Sequence, residues 1–451
     1  MIDRRALLTS AAAFAAALPL SPARADDNPV PIVFVHGDGG LAATWQTTIW
    51  RFESNGYPRD RLFAISFTNP RARDDNDIPQ PNRSSTGDEL NELSAFVDDV
   101  RAKTGAEKVA LVAESRGGNA VRNYIAHGGA VHVSHAVLGG TPNHGVFALP
   151  PFIVRALGGG GESEFNGWGR FLLGLNGGAS ETTPGVRFLT LRSDGNDLYA
   201  QPYGTYLGHP QIPTFVNADG PALKGATNIV LDHADHRETI LSPLAFAETY
   251  AFIVGRAPAR VAILPEGEVT LNGRVTGVVD RTATNLPVED ATVQVYATDP
   301  ETGARRGEAL VSRKTGADGM WGPLKTDSAT TLEFVVAAPG APVTHTYRSP
   351  FPRSSSALDL RPEEAPPDAG AGAIIIMKRA RGYFGAMRDV IILDGRRAAD
   401  VPPGAPSVWK TKLVMPVFED RPIVAEFNEE RIVLRPWPAK DNAVAIAELT
   451  Y

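Results

Sequence analysis

An apolar segment that ends in a tight serine turn constrains this chain more than any other feature. Residues 109–118 read Val-Ala-Leu-Val-Ala-Glu-Ser-Arg-Gly-Gly, an apolar strand followed by a small-x-Ser-x-Gly turn. Such a turn exposes the serine only if the positions two before and two after it are small. Ala113 and Gly117 occupy those positions, although glycine is more usual at the first. The segment indicates that Ser115 is a candidate nucleophile; an ordinary strand-to-helix turn is the alternative.

A second apolar run upstream ends in a glycine-rich turn. Residues 32–40 read Ile-Val-Phe-Val-His-Gly-Asp-Gly-Gly, which predicts a buried strand and a sharp turn after it. A tetrahedral intermediate needs two convergent N–H donors, and a glycine-rich turn close to the serine can supply one of them. The alternative is a turn that only lets the chain change direction.

Six apolar runs alternate with helical stretches in the first half of the chain. This alternation is typical of a mainly parallel sheet covered by helices on both faces. The clearest helix is predicted to begin at a capping box, Thr86-x-x-Glu89, and to end at Gly105; another is predicted from Ile240 to Ile253. The predicted strands are residues 32–35, 62–67, 108–113, 135–139, 186–191 and 227–231.

Residues 147–185 interrupt this alternation. They mix apolar side chains such as Phe152, Trp168 and Leu173 with many glycines. This composition favours a mobile cap or lid over the site. An ordinary irregular insertion is the alternative.

After Pro258 the pattern changes to short β-like runs separated by turn residues. This predicts an all-β sandwich or barrel over residues 259–451. The segment 361–372, rich in proline, alanine and glycine, is either a linker that splits this region or a long loop within it. Aromatic residues of the region either pack in its core or line a binding face; they are Tyr296, Trp321, Phe334, Tyr383 and Phe384.

Together these motifs resemble those of bacterial and archaeal lipases and carboxylesterases of the α/β-hydrolase superfamily. Within this superfamily the chain more closely resembles the archaeal lipase type that carries a C-terminal β-domain. The resemblance implies an α/β-hydrolase domain over residues 28–257, a C-terminal β-rich region and catalysis without a cofactor or a metal. The matching segments are His36-Gly37, Asn55 to Pro58, Ser115 to Gly117, Gly139 to Gly145, Asn228 to His236 and Ser242-Pro243.

The resemblance also implies a catalytic triad in the chain order Ser, Asp, His. Asp197 is the candidate acid, because a hydrophobic pair follows it as in similar loops of bacterial lipases. His236, after the last predicted strand, is the candidate base for Ser115. The backbone N–H groups of Asp38 and Arg116 are implied as the two oxyanion-hole donors.

Two alternatives remain open at this site. Asp194 lies in the same loop as Asp197 and could be the acid instead. The cluster of Asp232, His233, Asp235 and His236 could bind a divalent cation, since imidazole and carboxylate groups are both metal ligands. A His-x-x-x-His pair on a helix is missing there, which argues against the metal site.

The composition excludes other classes of function. The formal net charge of -7 argues against a nucleic-acid partner. The chain has no cysteine, which excludes a disulfide framework and a thiol nucleophile.

The N-terminus predicts export. Arg4-Arg5 precedes a small, apolar run from Ala6 to Leu20, and Ala23-Arg24-Ala25 offers a small-x-small cleavage site. Residues 1–25 therefore resemble a twin-arginine signal peptide, which places the mature protein in the periplasm or outside the cell. A membrane anchor is the alternative, although the run is short and Pro19 interrupts it.

These observations predict a secreted or periplasmic serine hydrolase that cleaves carboxylic esters, such as acyl glycerols or other apolar esters, through an acyl-enzyme. The expected partner is an ester or lipid, at an interface or on a polymer, which the β-rich region would hold near the site. A polyhydroxyalkanoate-type polyester depolymerase with the same residues is one alternative. A non-catalytic surface-binding protein is another.

Overall fold

A six-stranded parallel sheet forms the centre of the first half of the chain. The computed structural model describes residues 28–203, 211–364, 368 and 370–451, so the predicted export segment and its membrane-anchor alternative lie outside the described residues. All neighbouring strands run parallel, which confirms the predicted fold class. The strands are β1 (Ile32–Val35), β2 (Leu62–Ala64), β3 (Val109–Glu114), β4 (Val133–Gly139), β5 (Arg187–Ser193) and β6 (Thr227–Leu231), in the spatial order β2-β1-β3-β4-β5-β6.

Helices cover both faces of this sheet, because neighbouring residues of a strand point to opposite sides and both sides are apolar. Phe34 of β1 packs in one buried cluster with Phe246, and Val33 of the same strand packs in the other with Leu93. The helices are α1 (Gln46–Ser54), α2 (Thr86–Thr104), α3 (Arg116–Ala126), α4 (Pro151–Ala156), α5 (Arg170–Asn176), α6 (Glu238–Leu241) and α7 (Pro243–Val254), with 3-10 turns at Ala42–Trp45, Arg59–Arg61, Gly129–His132 and Ala439–Asp441.

The predicted capping box of α2 is wrong by one residue. Ser85 is the N-cap: its hydroxyl accepts a hydrogen bond from the Asp88 N–H at 3.2 Å, and the Asp88 carboxylate accepts one from the Ser85 N–H at 2.8 Å. Thr86 is already helical, and Glu89 is buried and takes another partner. Both registers fit the capping pattern, and only packing selects between them.

The predicted helix from Ile240 to Ile253 is two helices. Pro243 has no N–H to continue α6, and it occupies the first position of α7, where that N–H is not needed. The Ser242 hydroxyl caps the new helix by accepting a hydrogen bond from the Ala245 N–H at 3.1 Å. The helix that follows the candidate base is therefore the four-residue α6 alone.

The second half of the described chain is rich in β-sheet, as predicted. Its largest sheet has seven strands in the order β11-β10-β13-β14-β21-β15-β18, and a four-stranded sheet has the order β17-β16-β19-β20. Two further pairs are β12-β7 and β8-β9. The strands are β7 (Val269–Leu271), β8 (Thr276–Val279), β9 (Thr282–Pro287), β10 (Thr292–Ala297), β11 (Val311–Lys314), β12 (Leu324–Thr326), β13 (Leu332–Ala337), β14 (Val343–Arg348), β15 (Ala373–Arg379), β16 (Ile391–Leu393), β17 (Arg396–Arg397), β18 (Lys410–Met415), β19 (Ile423–Phe427), β20 (Glu430–Leu434) and β21 (Ala443–Leu449).

The last strand joins the parts of the chain on either side of residues 361–372. β21 pairs in parallel with β14 on one side and with β15 on the other. The two parts therefore share the seven-stranded sheet, although each has its own apolar cluster. In the following, "C-terminal region" means residues 259–451.

The C-terminal region packs directly on the α/β-hydrolase part. Trp50 of α1 is 1% exposed and lies in an apolar cluster with Val269 and Phe351 of the C-terminal region. Its indole N–H donates a hydrogen bond to the Ser354 carbonyl oxygen at 2.9 Å. A buried tryptophan shared in this way makes the interface part of the hydrophobic core.

The aromatic residues singled out in the C-terminal region divide between core and surface roles. Trp321, Phe334 and Phe384 are fully buried in the apolar clusters, so they are core residues. Tyr296 lies under the Arg305 guanidinium, 3.8 Å from ring centroid to Cζ. Tyr383 instead lines the cavity described below.

The insertion at residues 147–185 contains α4 and α5 and has a small core of its own. Phe147, Leu149, Val154 and Phe165 pack together in it. Several large apolar side chains of the insertion nevertheless face solvent, including Phe152, Trp168 and Leu173. Within the described ranges, we find no helix with the length and apolar character needed to cross a membrane.

Candidate active site

Ser115 lies in a strained turn between β3 and α3. Its φ of 53° and ψ of -126° are unusual for a residue with a side chain, and such strain is found mainly at functional sites. The Ser115 N–H donates a hydrogen bond to the Gly139 carbonyl oxygen at 2.8 Å, which ties the turn to the end of β4. A Cβ atom at Gly117 would lie 2.5 Å from the His36 carbonyl oxygen, so this position must be glycine.

The glycine-rich turn after β1 lies directly against the serine turn. A Cβ atom on Gly37 would be 2.9 Å from the Cβ atom of Ser115. The Gly37 N–H donates a hydrogen bond to Glu114 Oε2 at 2.9 Å. Asp38 follows, and its carboxylate accepts hydrogen bonds from Arg71 and from the Ala72 N–H, both at 2.8 Å. The turn is thus held from both sides.

The two candidate oxyanion donors are backbone N–H groups next to Ser115. Arg116 is the first residue of α3, and the first N–H groups of a helix have no carbonyl acceptor within it. Asp38 and Ser115 line the same cavity. This arrangement is compatible with two N–H groups that converge on an oxygen bound at Ser115.

His36 is a structural residue of this turn. Its Nε2 accepts a hydrogen bond from the Phe67 N–H at 3.1 Å, so Nδ1 carries the proton and donates to the Gly37 carbonyl oxygen at 2.8 Å. Complete burial lowers the pKa of His36 from 6.5 to about 4. The ring is therefore neutral at pH 7 and holds the turn in place.

His236 and Asp197 form a buried pair. Nδ1 of His236 lies 2.8 Å from Asp197 Oδ1, and both residues are 2% exposed. The same carboxylate oxygen accepts the Tyr199 N–H at 2.8 Å. Burial by itself lowers the pKa of His236, but the charge and the hydrogen bond of Asp197 outweigh it and raise the pKa above its ordinary value. Since Nδ1–H donates to the carboxylate, Nε2 of the neutral ring is left as a proton acceptor.

Asp194 has different partners. Its carboxylate accepts hydrogen bonds from the His233 N–H at 3.1 Å and from the Asn196 side chain at 3.0 Å. The structure therefore brings Asp197, and not Asp194, to His236.

Two members of the cluster around His233, Asp235 and His236, have other partners. Asp235 pairs with Arg379 at 2.8 Å and with Arg388 at 3.2 Å, while His236 pairs with Asp197. In the part of the chain that the structure describes, no group of three or more His, Asp or Glu side chains has an arrangement that could hold a metal ion.

A cavity of about 270 Å³ connects these elements. Ser115 and His236 both line it, so the candidate nucleophile and the candidate base border the same cavity. Pro142, Val146 and Phe165 add an apolar side. Part of the lining comes from the C-terminal region and includes Lys378, Ala380, Tyr383, Ser407 and Trp409.

Two family models match this chain. Residues 29–148, which contain the glycine-rich turn and Ser115, match the family model of class 2 lipases, and residues 267–365 match the lipase C-terminal domain. The chain is an α/β-hydrolase lipase with a C-terminal domain. It is accordingly a carboxylic ester hydrolase.

Several solved structures are similar to parts of this chain. The mature form of lipase BlEst2 from Bacillus licheniformis is 22% identical and covers 51% of this chain and 93% of its own, with a TM-score of 0.37. Its propeptide form is 16% identical over 90% of this chain and 96% of its own, also at 0.37. Carboxylesterase CesB from Bacillus subtilis is 16% identical over 51% of this chain and 86% of its own, at 0.28.

A buried arginine, Arg116, connects the insertion at residues 147–185 to the serine turn of the lipase. The guanidinium of Arg116 pairs with Glu89 of α2 at 2.9 Å and, through Nη2, with Glu164 of the insertion at 2.9 Å. All three side chains are almost fully buried. Motif reasoning selected Arg116 for its backbone and missed its side chain, because the glutamates lie far from it along the sequence.

Sequence reasoning also missed the part of the lipase's cavity that the C-terminal region forms. Arg237 of the hydrolase part lies over the rings of Tyr383 and Trp409, at 5.0 and 5.5 Å from the ring centroids. Its Nη1 donates a hydrogen bond to the Ala380 carbonyl oxygen at 3.1 Å. In the sequence Tyr383 is only one aromatic residue of the β-rich region, and no spacing relates it to His236.

Proposed function

We propose that this lipase is an exported serine hydrolase that cleaves apolar carboxylic esters, such as acyl glycerols, through an acyl-enzyme on Ser115. The observation that carries the proposal is the buried 2.8 Å contact between His236 Nδ1 and Asp197 Oδ1, on the cavity that Ser115 lines. A histidine held by a carboxylate next to a strained serine is the arrangement that activates a hydroxyl nucleophile.

In the first half of the proposed reaction, Ser115 Oγ attacks the ester carbonyl carbon while His236 Nε2 takes the hydroxyl proton. Asp197 holds the imidazole in the required tautomer and stabilises the imidazolium. The N–H groups of Asp38 and Arg116 bind the negative oxygen of the tetrahedral intermediate. When the intermediate collapses, the C–O bond to the alcohol breaks, and His236 returns the proton to the departing alcohol oxygen.

In the second half, water replaces the alcohol. His236 takes a proton from a water molecule whose oxygen attacks the acyl carbon, and the same N–H groups bind the second tetrahedral intermediate. Its collapse releases the carboxylic acid and returns the proton to Ser115 Oγ. No redox step or co-reactant other than water is required.

The preference for apolar esters is supported by the surface of the insertion. Phe152 is 68% exposed, Leu173 53% and Trp168 48%, so three large apolar side chains of the insertion are open to an apolar partner. Val146 and Phe165 continue this apolar character into the cavity. A lipid or another water-insoluble ester is the substrate class that such a surface favours.

The experiment that tests the reaction is hydrolysis of p-nitrophenyl esters from acetate to palmitate by the mature protein and by Ser115→Ala. We expect the variant to lose activity on every ester, with a chain-length optimum above acetate for the wild type. A fluorophosphonate probe should label the wild type and leave Ser115→Ala unlabelled. Activity that persists in the variant would refute the role of Ser115, and a wild type inactive on all esters and unreactive with the probe would favour a binding protein.

A film of polyhydroxybutyrate distinguishes the polyester alternative. We expect slower release of acid from the film than from an emulsified triacylglycerol. The reverse order would make the protein a polyester depolymerase that uses the same residues.

The export part of the proposal rests on residues 1–25. We expect a fusion of these residues to a folded reporter to reach the periplasm of a bacterial host, and Arg4→Lys combined with Arg5→Lys to retain it in the cytoplasm. Export that is unaffected by the double substitution would exclude the twin-arginine route.

A further inference from the structure

The loop that carries His236 is held by the C-terminal region. The Asp235 side chain is completely buried and faces β15 and the segment after it. Its Oδ2 accepts hydrogen bonds from Arg379 Nη1 and from the Tyr383 N–H, both at 2.8 Å. Oδ2 also lies 3.2 Å from Arg388 Nη2. The residue just before the candidate base thus has three partners from a different part of the chain.

The other oxygen of the same carboxylate shapes the loop itself. Asp235 Oδ1 accepts hydrogen bonds from the Arg237 N–H at 2.9 Å and from the Glu238 N–H at 3.0 Å. These are the N–H groups that follow His236 at the beginning of α6. The carboxylate of the residue before His236 therefore connects the C-terminal region to the backbone N–H groups that follow His236.

Glu238 completes a four-membered cluster. Its Oε2 pairs with Arg388 Nη1 at 2.6 Å, and its Oε1 pairs with Arg379 Nη2 at 2.5 Å. Oε2 also accepts the Asp235 N–H at 2.9 Å. Arg388 Nη1 donates a further hydrogen bond to the His233 carbonyl oxygen at 2.9 Å. We call Asp235, Glu238, Arg379 and Arg388 the loop clamp.

The loop clamp is part of a buried network of charges, in which Arg388 also pairs with Asp389 at 3.0 Å. Two carboxylates meet two guanidinium groups, and the exposed fraction of each side chain is between 0% and 22%. Removal of one arginine would leave Asp235 and Glu238 to share a single guanidinium, and a buried carboxylate that is short of counter-charge tends to move toward water. Such a movement of Asp235 or Glu238 would carry the His236 loop with it.

We infer that Arg379 and Arg388 position His236 for catalysis through Asp235 and Glu238, so that the C-terminal region takes part in the chemical step on every ester. This inference rests on the proposed role of His236 as the base. Arg379 and Arg388 are positioning residues, because their contacts are with the loop rather than with the reacting atoms. From sequence, we expect the C-terminal region to hold the substrate. That function would not require these contacts.

The test compares Arg379→Gln and Arg388→Gln with a matched control at the same interface. Arg353 of the C-terminal region also pairs with two carboxylates, Glu53 of α1 and Glu266, both at 2.8 Å, but it is not part of the loop clamp. Steady-state kinetics on soluble p-nitrophenyl acetate, and the rate of Ser115 labelling by a fluorophosphonate, would be measured for all three full-length variants.

We expect kcat and the labelling rate to fall roughly tenfold to a hundredfold in Arg379→Gln and Arg388→Gln, with a much smaller change in KM, because displacement of a catalytic group by about 1 Å has this effect. Arg353→Gln should keep kcat within about twofold of the wild type. Arg388→Lys, which keeps the charge and can donate to one carboxylate, should recover part of the loss.

Proton NMR of the Nδ1–H of His236 supplies a readout that a general loss of stability would not change. Its low-field resonance reports the hydrogen bond to Asp197 directly. We expect it to broaden or shift in Arg379→Gln and Arg388→Gln and to remain in Arg353→Gln, at a temperature where thermal denaturation shows that all three proteins are folded. If Arg379→Gln does not fold, Arg388→Gln decides the test, since Arg388 is the more exposed of the two.

The outcomes separate this inference from the proposed function. If Ser115→Ala is inactive but both arginine variants keep the kcat of Arg353→Gln and an unchanged resonance, the inference is wrong and the proposed reaction stands. If Ser115→Ala keeps activity, the reaction itself is wrong.

Discussion

The carboxylate of Glu114 accepts a 2.9 Å hydrogen bond from the N–H of Gly37, so the residue before the candidate nucleophile holds the turn that carries Asp38. Two segments that are remote in sequence thereby become one structural unit. The same carboxylate lies 3.8 Å from Arg237, the residue after His236. Glu114 therefore connects three segments: the turn of the candidate nucleophile Ser115, the turn that carries Asp38, and the loop that carries His236.

Loss of the Glu114 side chain is expected to loosen the Asp38 turn. In Glu114→Ala the Gly37 N–H loses its acceptor, and we expect kcat on p-nitrophenyl acetate to fall roughly tenfold to a hundredfold with little change in KM. Glu114→Gln keeps an acceptor oxygen and should retain more activity than Glu114→Ala. Wild-type kcat in Glu114→Ala would mean that the turn does not depend on this bond.

The role of Asp197 predicts a pH dependence. Because the pKa of His236 is raised above 6.5, kcat/KM should rise with pH on the acid side and reach half of its maximum above pH 6.5, where the imidazole loses its proton. Asp197→Asn removes the charge and the tautomer control, and we expect kcat to drop by about 10⁴. Asp194→Asn is the control and should keep kcat within about threefold. A larger loss in Asp194→Asn than in Asp197→Asn would reverse the assignment of the acid.

The buried, neutral His36 predicts acid destabilisation. Its pKa is lowered to about 4 in the folded protein, so between pH 6.5 and 4 the unfolded chain binds a proton that the folded chain does not. The free energy of unfolding should therefore decrease as pH falls through this range, by up to about 3 kcal/mol from this group. Denaturant titrations of the wild type and His36→Gln at several pH values measure the effect. Parallel stability curves for the two proteins would contradict it.

The close approach of β1 to the serine turn predicts an intolerance to any side chain at position 117. In Gly117→Ala the new methyl group meets the His36 and Val35 carbonyl oxygens at 2.5 and 2.7 Å, and we expect a destabilisation of about 1–3 kcal/mol. Gly174, in α5, has no atom within 4 Å of its Cβ position, so Gly174→Ala should be neutral or stabilising by up to about 1 kcal/mol. Thermal denaturation distinguishes the two; equal midpoints would show that the turn can relax.

The interface predicts the effect of truncation. Removal of residues 259–451 takes away Arg379 and Arg388 and exposes Trp50, so we expect activity to fall on p-nitrophenyl acetate as much as on an emulsified triacylglycerol. From sequence alone, a substrate-holding module predicts a larger loss on the insoluble ester. A truncated protein that keeps its activity on the acetate would support that simpler role. Circular dichroism must show that the truncated protein is folded before either conclusion is drawn.

Much of the hydrolase part could be predicted because its signals are local. A continuous apolar run of four to six residues indicates a buried strand. The tight turns need glycine, because any other residue would add a Cβ atom where there is no room for it. Ser115 could be selected from its turn, and Asp197 and His236 from the resemblance to lipases, in which the acid and the base follow late strands of the sheet. Local signals could not choose between two registers at the N-terminus of α2. At Pro243 a local signal for the break was present, because proline has no N–H to continue a helix, but the apolar run on both sides of it favoured a single helix.

The sequence by itself determined the parallel sheet, the serine turn and the β-rich character of the C-terminal region, because these follow from patterns within a few neighbouring residues. Only the tertiary structure decided that Asp197 rather than Asp194 meets His236, that Arg116 pairs with Glu89 and Glu164, and that Arg379 and Arg388 hold the His236 loop. These contacts join side chains separated by up to 153 positions, and their geometry depends on how two regions pack. Ion pairs of this kind produce no periodic pattern in the sequence, since a buried carboxylate can pair with any arginine that the fold brings close to it.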